Sequence, residues 1–147
     1  MIDRRRFLSI AVGAAAYAAL PPAARATPAE VETLIRRLVG EGRLQRGRVK
    51  LDLPLLVENG NAVAMTVTVD APVEGPGRVE SVHIFAEANP LPNVASFHFG
   101  PAAGKAVVST RIRLATSQTV IAVAKLADGS FWSDEIELLV TLAACLE

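Results

Sequence analysis

The apolar residues of this chain change their spacing once, and the new spacing constrains the fold more than any other feature. Beyond Gly47 they recur at every second position: Val49, Leu51 and Leu53 alternate with Lys50 and Asp52, and Val63, Met65, Val67 and Val69 alternate with Ala64, Thr66 and Thr68. Successive side chains of a strand point to opposite faces, so this pattern buries one face and wets the other. Val108, Thr110, Ile112 and Leu114 repeat it, with Ser109, Arg111 and Arg113 opposite. Residues 119–126 are nearly apolar on both sides, which predicts a central strand covered on both faces. Further strands are expected over 79–86 and 94–99, joined through the loop Asn89-Pro90-Leu91-Pro92-Asn93, and over 131–142 after the hairpin signal Asp128-Gly129. About seven short strands punctuated by Gly, Pro and Asn predict an all-β, immunoglobulin-like sandwich.

Before Gly47 the period is helical. Val31, Leu34, Ile35 and Leu38 line one face of a helix expected over residues 27–41. Thr27 suits the N-cap, Pro28 the first turn, and Glu30 and Glu32 the positive end of the helix dipole; Gly40 and Gly42 end it. Its expected task is to pack against the sandwich or a partner.

The first 26 residues have a different character. Arg4, Arg5 and Arg6 precede an apolar run from Ile10 to Leu20, and Ala24-Arg25-Ala26 offers a small-x-small end. A basic start, a short apolar middle and such an end make a secretory signal, with cleavage expected after Ala26. The run falls short of the roughly 20 apolar residues that span a bilayer, so no stable membrane association is expected after cleavage. Arg4 and Arg5 followed by Phe7 and Leu8 resemble the twin-arginine export motif, with an ordinary Sec signal as the alternative. The expected organisation is a signal over 1–26 and one domain over 27–147, outside the cytoplasm and in the periplasm.

Export bears on the single cysteine. Structural disulfides of an oxidising compartment need two partners, and Cys145 is alone. A lone exported cysteine points to intermolecular pairing or a reactive thiol, whereas a small buried hydrophobe is the other reading. Its place two residues from the end favours exposure. If the last strand stops near Thr141, four more residues carry Cys145 at most about 13 Å beyond the sheet. Glu147 and the terminal carboxylate disfavour the thiolate, so activation is left to a partner enzyme.

Other chemistry is thin. Acidic and basic residues balance at fifteen each, which leaves no electrostatic footprint for nucleic acid. A copper site would use two His, one Cys and a weak axial ligand. His83 and His98 sit on separate predicted strands, within His83-Ile84-Phe85 and Phe97-His98-Phe99, and read as packed strand residues; no metal or cofactor is expected. Nucleophile elbow, zinc-helix and phosphate-loop motifs do not occur. Asp134, Glu135 and Glu137 read as a solvated face, and Trp132 as a half-buried strand residue or a partner contact.

Several segments together resemble one family. Residues Val82-His83-Ile84-Phe85-Ala86-Glu87-Ala88-Asn89-Pro90 through Ala95-Ser96-Phe97-His98-Phe99 are similar to the SoxY subunit of SoxYZ complexes. So are Ser109-Thr110-Arg111-Ile112-Arg113-Leu114-Ala115, Val120-Ile121-Ala122-Val123-Ala124, Leu51-Asp52-Leu53-Pro54, Glu58-Asn59-Gly60 and Asp128-Gly129-Ser130-Phe131. The resemblance implies an immunoglobulin-like, non-enzymatic carrier that pairs with a SoxZ-like subunit as a heterodimer. It implies that Cys145 holds thiosulfate-derived sulfur covalently while periplasmic Sox enzymes oxidise and hydrolyse it. The family's terminal Gly-Gly-Cys-Gly-Gly is replaced here by Ala143-Ala144-Cys145-Leu146-Glu147, which restricts the backbone and adds bulk and negative charge beside the sulfur. A divergent carrier is the expectation. The alternatives are a non-covalent periplasmic adaptor and a copper-binding sandwich, in both of which the cysteine is incidental.

Overall fold

The structure, a computed structural model, describes residues 25–142. Helix α1 spans Pro28–Val39. Nine strands follow it: β1 (Leu44–Arg46), β2 (Val49–Asp52), β3 (Leu56–Val57), β4 (Val63–Val69), β5 (Val79–Ala86), β6 (Asn93–His98), β7 (Val107–Ile112), β8 (Gln118–Leu126) and β9 (Phe131–Val140).

Period-two alternation becomes a two-layer sandwich. One sheet has the order β1-β9-β8-β5-β6 with β3 also paired to β9; the other is β2-β4-β7. Val49, Leu51, Met65 and Val67 of the small sheet meet Val82, Ile84, Val120, Ala122, Ala124 and Leu138 of the large one in a single buried cluster. Burying such side chains is the main stabilising term, about 1.5–3 kcal/mol for each large one. Strand β8 is the central strand expected from its two apolar faces: Val120, Ala122 and Ala124 face the sandwich, and Val123 faces the other way.

What Val123 faces is the helix. Val31, Ile35 and Val39 of α1 pack on Phe85, Val123 and Phe131 over the outer face of the large sheet. The helix starts with a capping box, in which the Thr27 hydroxyl accepts from the Glu30 amide and the Glu30 carboxylate accepts from the Thr27 amide. Its last residue is Val39, two short of the expected 41, because Gly40, the first of the two glycines expected to end it, takes a φ of 62° that closes the helical ladder.

Two short strands lie beyond the alternation pattern, β1 and β3. Both pair in parallel with β9, Leu44–Arg46 along Phe131–Ser133 and Leu56–Val57 along Leu139–Val140. Between them, where neither strand reaches, the Asp134 carboxylate of β9 accepts the Leu51 amide of β2 at 2.9 Å. The chain passes from β1 in the large sheet to β2 in the small one at Gly47, whose φ of 130° is a backbone conformation that residues with side chains rarely adopt. Trp132 is the half-buried strand residue of the sequence reading, with Arg48 stacked 4.9 Å from its ring centroid.

Candidate functional site at the root of the C-terminal tail

The last strand leads towards Cys145, so the site is built from what fixes the end of β9. Its outer edge is held by the segment after Pro54. The Leu139 amide donates to the Leu55 carbonyl, and the Thr141 amide to the Val57 carbonyl, both at 2.9 Å. The Thr141 hydroxyl faces the Val57 and Glu58 carbonyls at 3.4 and 3.3 Å. Across the strand, the Val140 amide donates to the Ser117 hydroxyl at 2.9 Å. One residue later the Gly60 amide still donates to the Leu142 carbonyl at 2.9 Å, while the Gly60 carbonyl accepts from Leu114.

The strand ends at Val140, two residues short of the expected 142, but the chain is anchored as far as Leu142. Cys145 lies outside the described residues, three residues further on. Three extended residues span at most about 10 Å.

The surface at the root is apolar. Leu56 and Leu139 occupy one register position of the parallel β3–β9 pair and are 59% and 61% exposed. Their neighbours Val57 and Val140 turn inward to the core. Leu55, just before β3, and Leu142 at the anchor are 68% and 61% exposed. Glu137 precedes Leu139 by two residues on the same wetted face of β9. Sequence reasoning passed over Leu55 and Leu56, because two strand residues between Pro54 and Glu58 are too few to show a period.

The histidines read as packed strand residues are neighbours on the outer face of the large sheet. Antiparallel pairing of β5 and β6 sets His83 opposite Ser96 and His98 opposite Ser81. The two rings meet edge to face with centroids 5.9 Å apart. His98 is exposed rather than packed, because β6 is the edge of the sheet. His83 is half-buried, with Nδ1 2.9 Å from the Ser96 hydroxyl and Nε2 3.0 Å from that of Ser81. Burial first, then the nearby His98 and Lys125, pushes the His83 imidazole below its ordinary value. Among the described residues no three His, Cys, Asp or Glu side chains gather as a metal site.

The acidic cluster of β9 divides by role rather than forming one solvated face. Asp134 bonds Leu51 and, through its other oxygen, the Glu135 amide at 3.0 Å. Glu135 pairs with Arg46 of β1, and Glu137 is exposed. Of the expected export residues, Arg4, Arg5, Phe7, Leu8 and Ala24 lie outside the described residues. Ala26 is buried, and its amide donates to the Asn89 carbonyl at 3.0 Å. Asn89 itself is a buried knot: its Oδ1 accepts from the Ala115 amide and Gln118 Nε2, and its Nδ2 donates to the Arg113 carbonyl.

Residues 35–145 match the family model described as "Sulfur oxidation protein SoxY". The chain belongs to the SoxY family. The SoxY match continues through the anchored root and ends on Cys145. Among solved structures, the chain is similar to the sulfur carrier protein SoxY from Chlorobium limicola f thiosulfatophilum. The two share 27% identity over 79% of this chain and 100% of that one, with a TM-score of 0.65. Superoxide reductase (neelaredoxin) from Ignicoccus hospitalis matches at 18% identity over 78% of this chain and 94% of its own, TM-score 0.56. Superoxide reductase from Nanoarchaeum equitans matches at 14% identity over 65% of this chain and 100% of its own, TM-score 0.54. These two share the SoxY sandwich fold. Comparison with curated protein sequences gives no match.

Proposed function

We propose that this SoxY-family chain is a covalent sulfur carrier of the periplasm, holding sulfur intermediates on Cys145 and acting as a heterodimer with a SoxZ-like subunit. The observation that carries the reading is the family match running through an anchored root to Cys145. A thiol tethered within about 10 Å of an anchored strand end stays attached to its protein while partner enzymes act on it. The likeness to a solved sulfur carrier supports the same role.

The loading step joins the Cys145 thiol to the outer sulfur of thiosulfate. One S–S bond forms, the thiol proton is released, and two electrons pass to an external acceptor supplied by a partner oxidase. The adduct is Cys–S–S–SO₃⁻. Hydrolysis by a second enzyme then places water oxygen on the sulfonate sulfur, releases sulfate and leaves a persulfide on Cys145. The carrier supplies the attachment point and its partners supply the catalysis. Residues 1–26 act as an export signal of the twin-arginine type, removed after Ala26.

The test is mass spectrometry of the reduced, signal-free protein with its SoxZ-like partner, incubated with thiosulfate in a periplasmic extract of its own organism. A mass increase of one thiosulfate less one proton is expected, absent in Cys145→Ser. An unchanged mass, or an equal increase in Cys145→Ser, overturns the carrier role.

A further inference from the structure

We infer that the apolar surface formed by Leu56 and Leu139, flanked by Leu55 and Leu142, is the docking face for the enzymes that load and unload the tail. The inference rests on the carrier role proposed for Cys145 and adds where the partner must touch.

Reach decides it. The last anchored residue is Leu142, and Cys145 is the third residue beyond it. With at most about 10 Å of chain, the sulfur enters another protein's active site only if the mouth of that site lies against the root itself. An arm of this length leaves no room for the domain to stand off. The receiving protein therefore covers the surface around Leu142, and that surface is leucine.

Among the described residues the pair is left uncovered. Parallel β3–β9 pairing sets Leu56 and Leu139 side by side, both facing solvent, while Val57 and Val140 alone reach the core. Adjacent exposed leucines cost solvation until a partner covers them, and centrally buried apolar anchors are where interfaces gain their energy.

Charge fits the same partner. Glu137 edges the leucine pair on its own face of β9. An active site for sulfur oxyanions must be cationic to hold its substrate, so the rim of its mouth complements an acidic edge. The occupant is thus an enzyme of anionic sulfur compounds with an apolar lip and basic flanks.

The experiment compares the wild type, Leu56→Glu/Leu139→Glu and the milder Leu56→Gln/Leu139→Gln. Each is paired with the SoxZ-like subunit and given thiosulfate in the periplasmic extract. Initial rates of Cys145 adduct formation are read by mass, alongside alkylation by iodoacetamide and the size of the complex. Loading slowed about tenfold or more, with alkylation rate and heterodimer unchanged, is expected. Both substitutions sit on exposed positions, and the glutamine pair reports the same loss if the glutamate pair unfolds. Equal loading of wild type and variants overturns the docking face while the carrier role stands. Loss of the heterodimer overturns it too, by giving the surface to the SoxZ-like subunit. If the wild type takes up no adduct, both readings fail together.

Discussion

The Asp134 carboxylate on β9 accepts the Leu51 amide on β2 at 2.9 Å, joining the two sheets where they share no backbone pair. The other Asp134 oxygen takes the amide of Glu135. Replacing Asp134 with Ala strands the part-buried Leu51 amide at a cost of about 1–3 kcal/mol. Asp134→Asn keeps an acceptor and loses less. Urea unfolding of the two variants measures both; equal stability of Asp134→Ala and wild type would contradict the bridging role.

Asn89 does comparable work at the start of β8. It ties the β5–β6 loop to the Arg113–Ala115 segment and to Gln118 with three side-chain hydrogen bonds. Asn89→Ala leaves the Ala115 amide without its acceptor and the Arg113 carbonyl without its donor, a loss of about 3 kcal/mol. Asn89→Asp restores the acceptor and not the donor, so it falls between. Thermal unfolding ranks the three proteins in that order.

His83 makes stability depend on pH. Burial, His98 and Lys125 hold its folded imidazole below the ordinary value of 6.5. Between those two values the unfolded chain binds the proton more readily, so stability rises with pH there. The contribution is complete above 6.5 and fades as pH falls towards the folded value. Melting temperatures between about pH 7.5 and 5.5 should fall, and His83→Gln should flatten part of that slope. An identical slope in the variant would assign it to other groups.

Anchoring of the root is measurable by hydrogen exchange. The amides of Leu139, Thr141 and Gly60 are bonded to Leu55, Val57 and Leu142. They should exchange as slowly as the amides of β8, not at the rate of a frayed strand end. Fast exchange at Gly60 would move the last anchored residue back towards Thr141 and lengthen the arm.

The alternating segments were legible because their cause is local. Burial on one face fixes a period of two, and Val49–Asp52, Val63–Val69 and Val107–Ile112 follow it. Strand β8 declared its central place by being apolar on both faces. Strands β1 and β3 were not legible. Leu44–Arg46 is exposed throughout, and Leu56–Val57 has two residues, so neither carries a period; the free edge of β9 recruits them. The same limit hid the Leu56–Leu139 pair and the Asp134–Leu51 bond, whose partners stand more than eighty positions apart in sequence. The meeting of His83 with His98 comes from strand register, which single residues do not announce. Cys145 was singled out by its chemistry, as the one thiol of a chain expected to be exported.

The parallel pairing of β3 with β9 also has a mechanical consequence. A pull along β9 crosses the hydrogen bonds on both of its edges, at right angles to those with β8 and at a slant to those with β3, so these bonds share the force instead of opening one by one like a zipper. A load applied at Leu142 is thus spread along the strand, and the sandwich behind it stays whole.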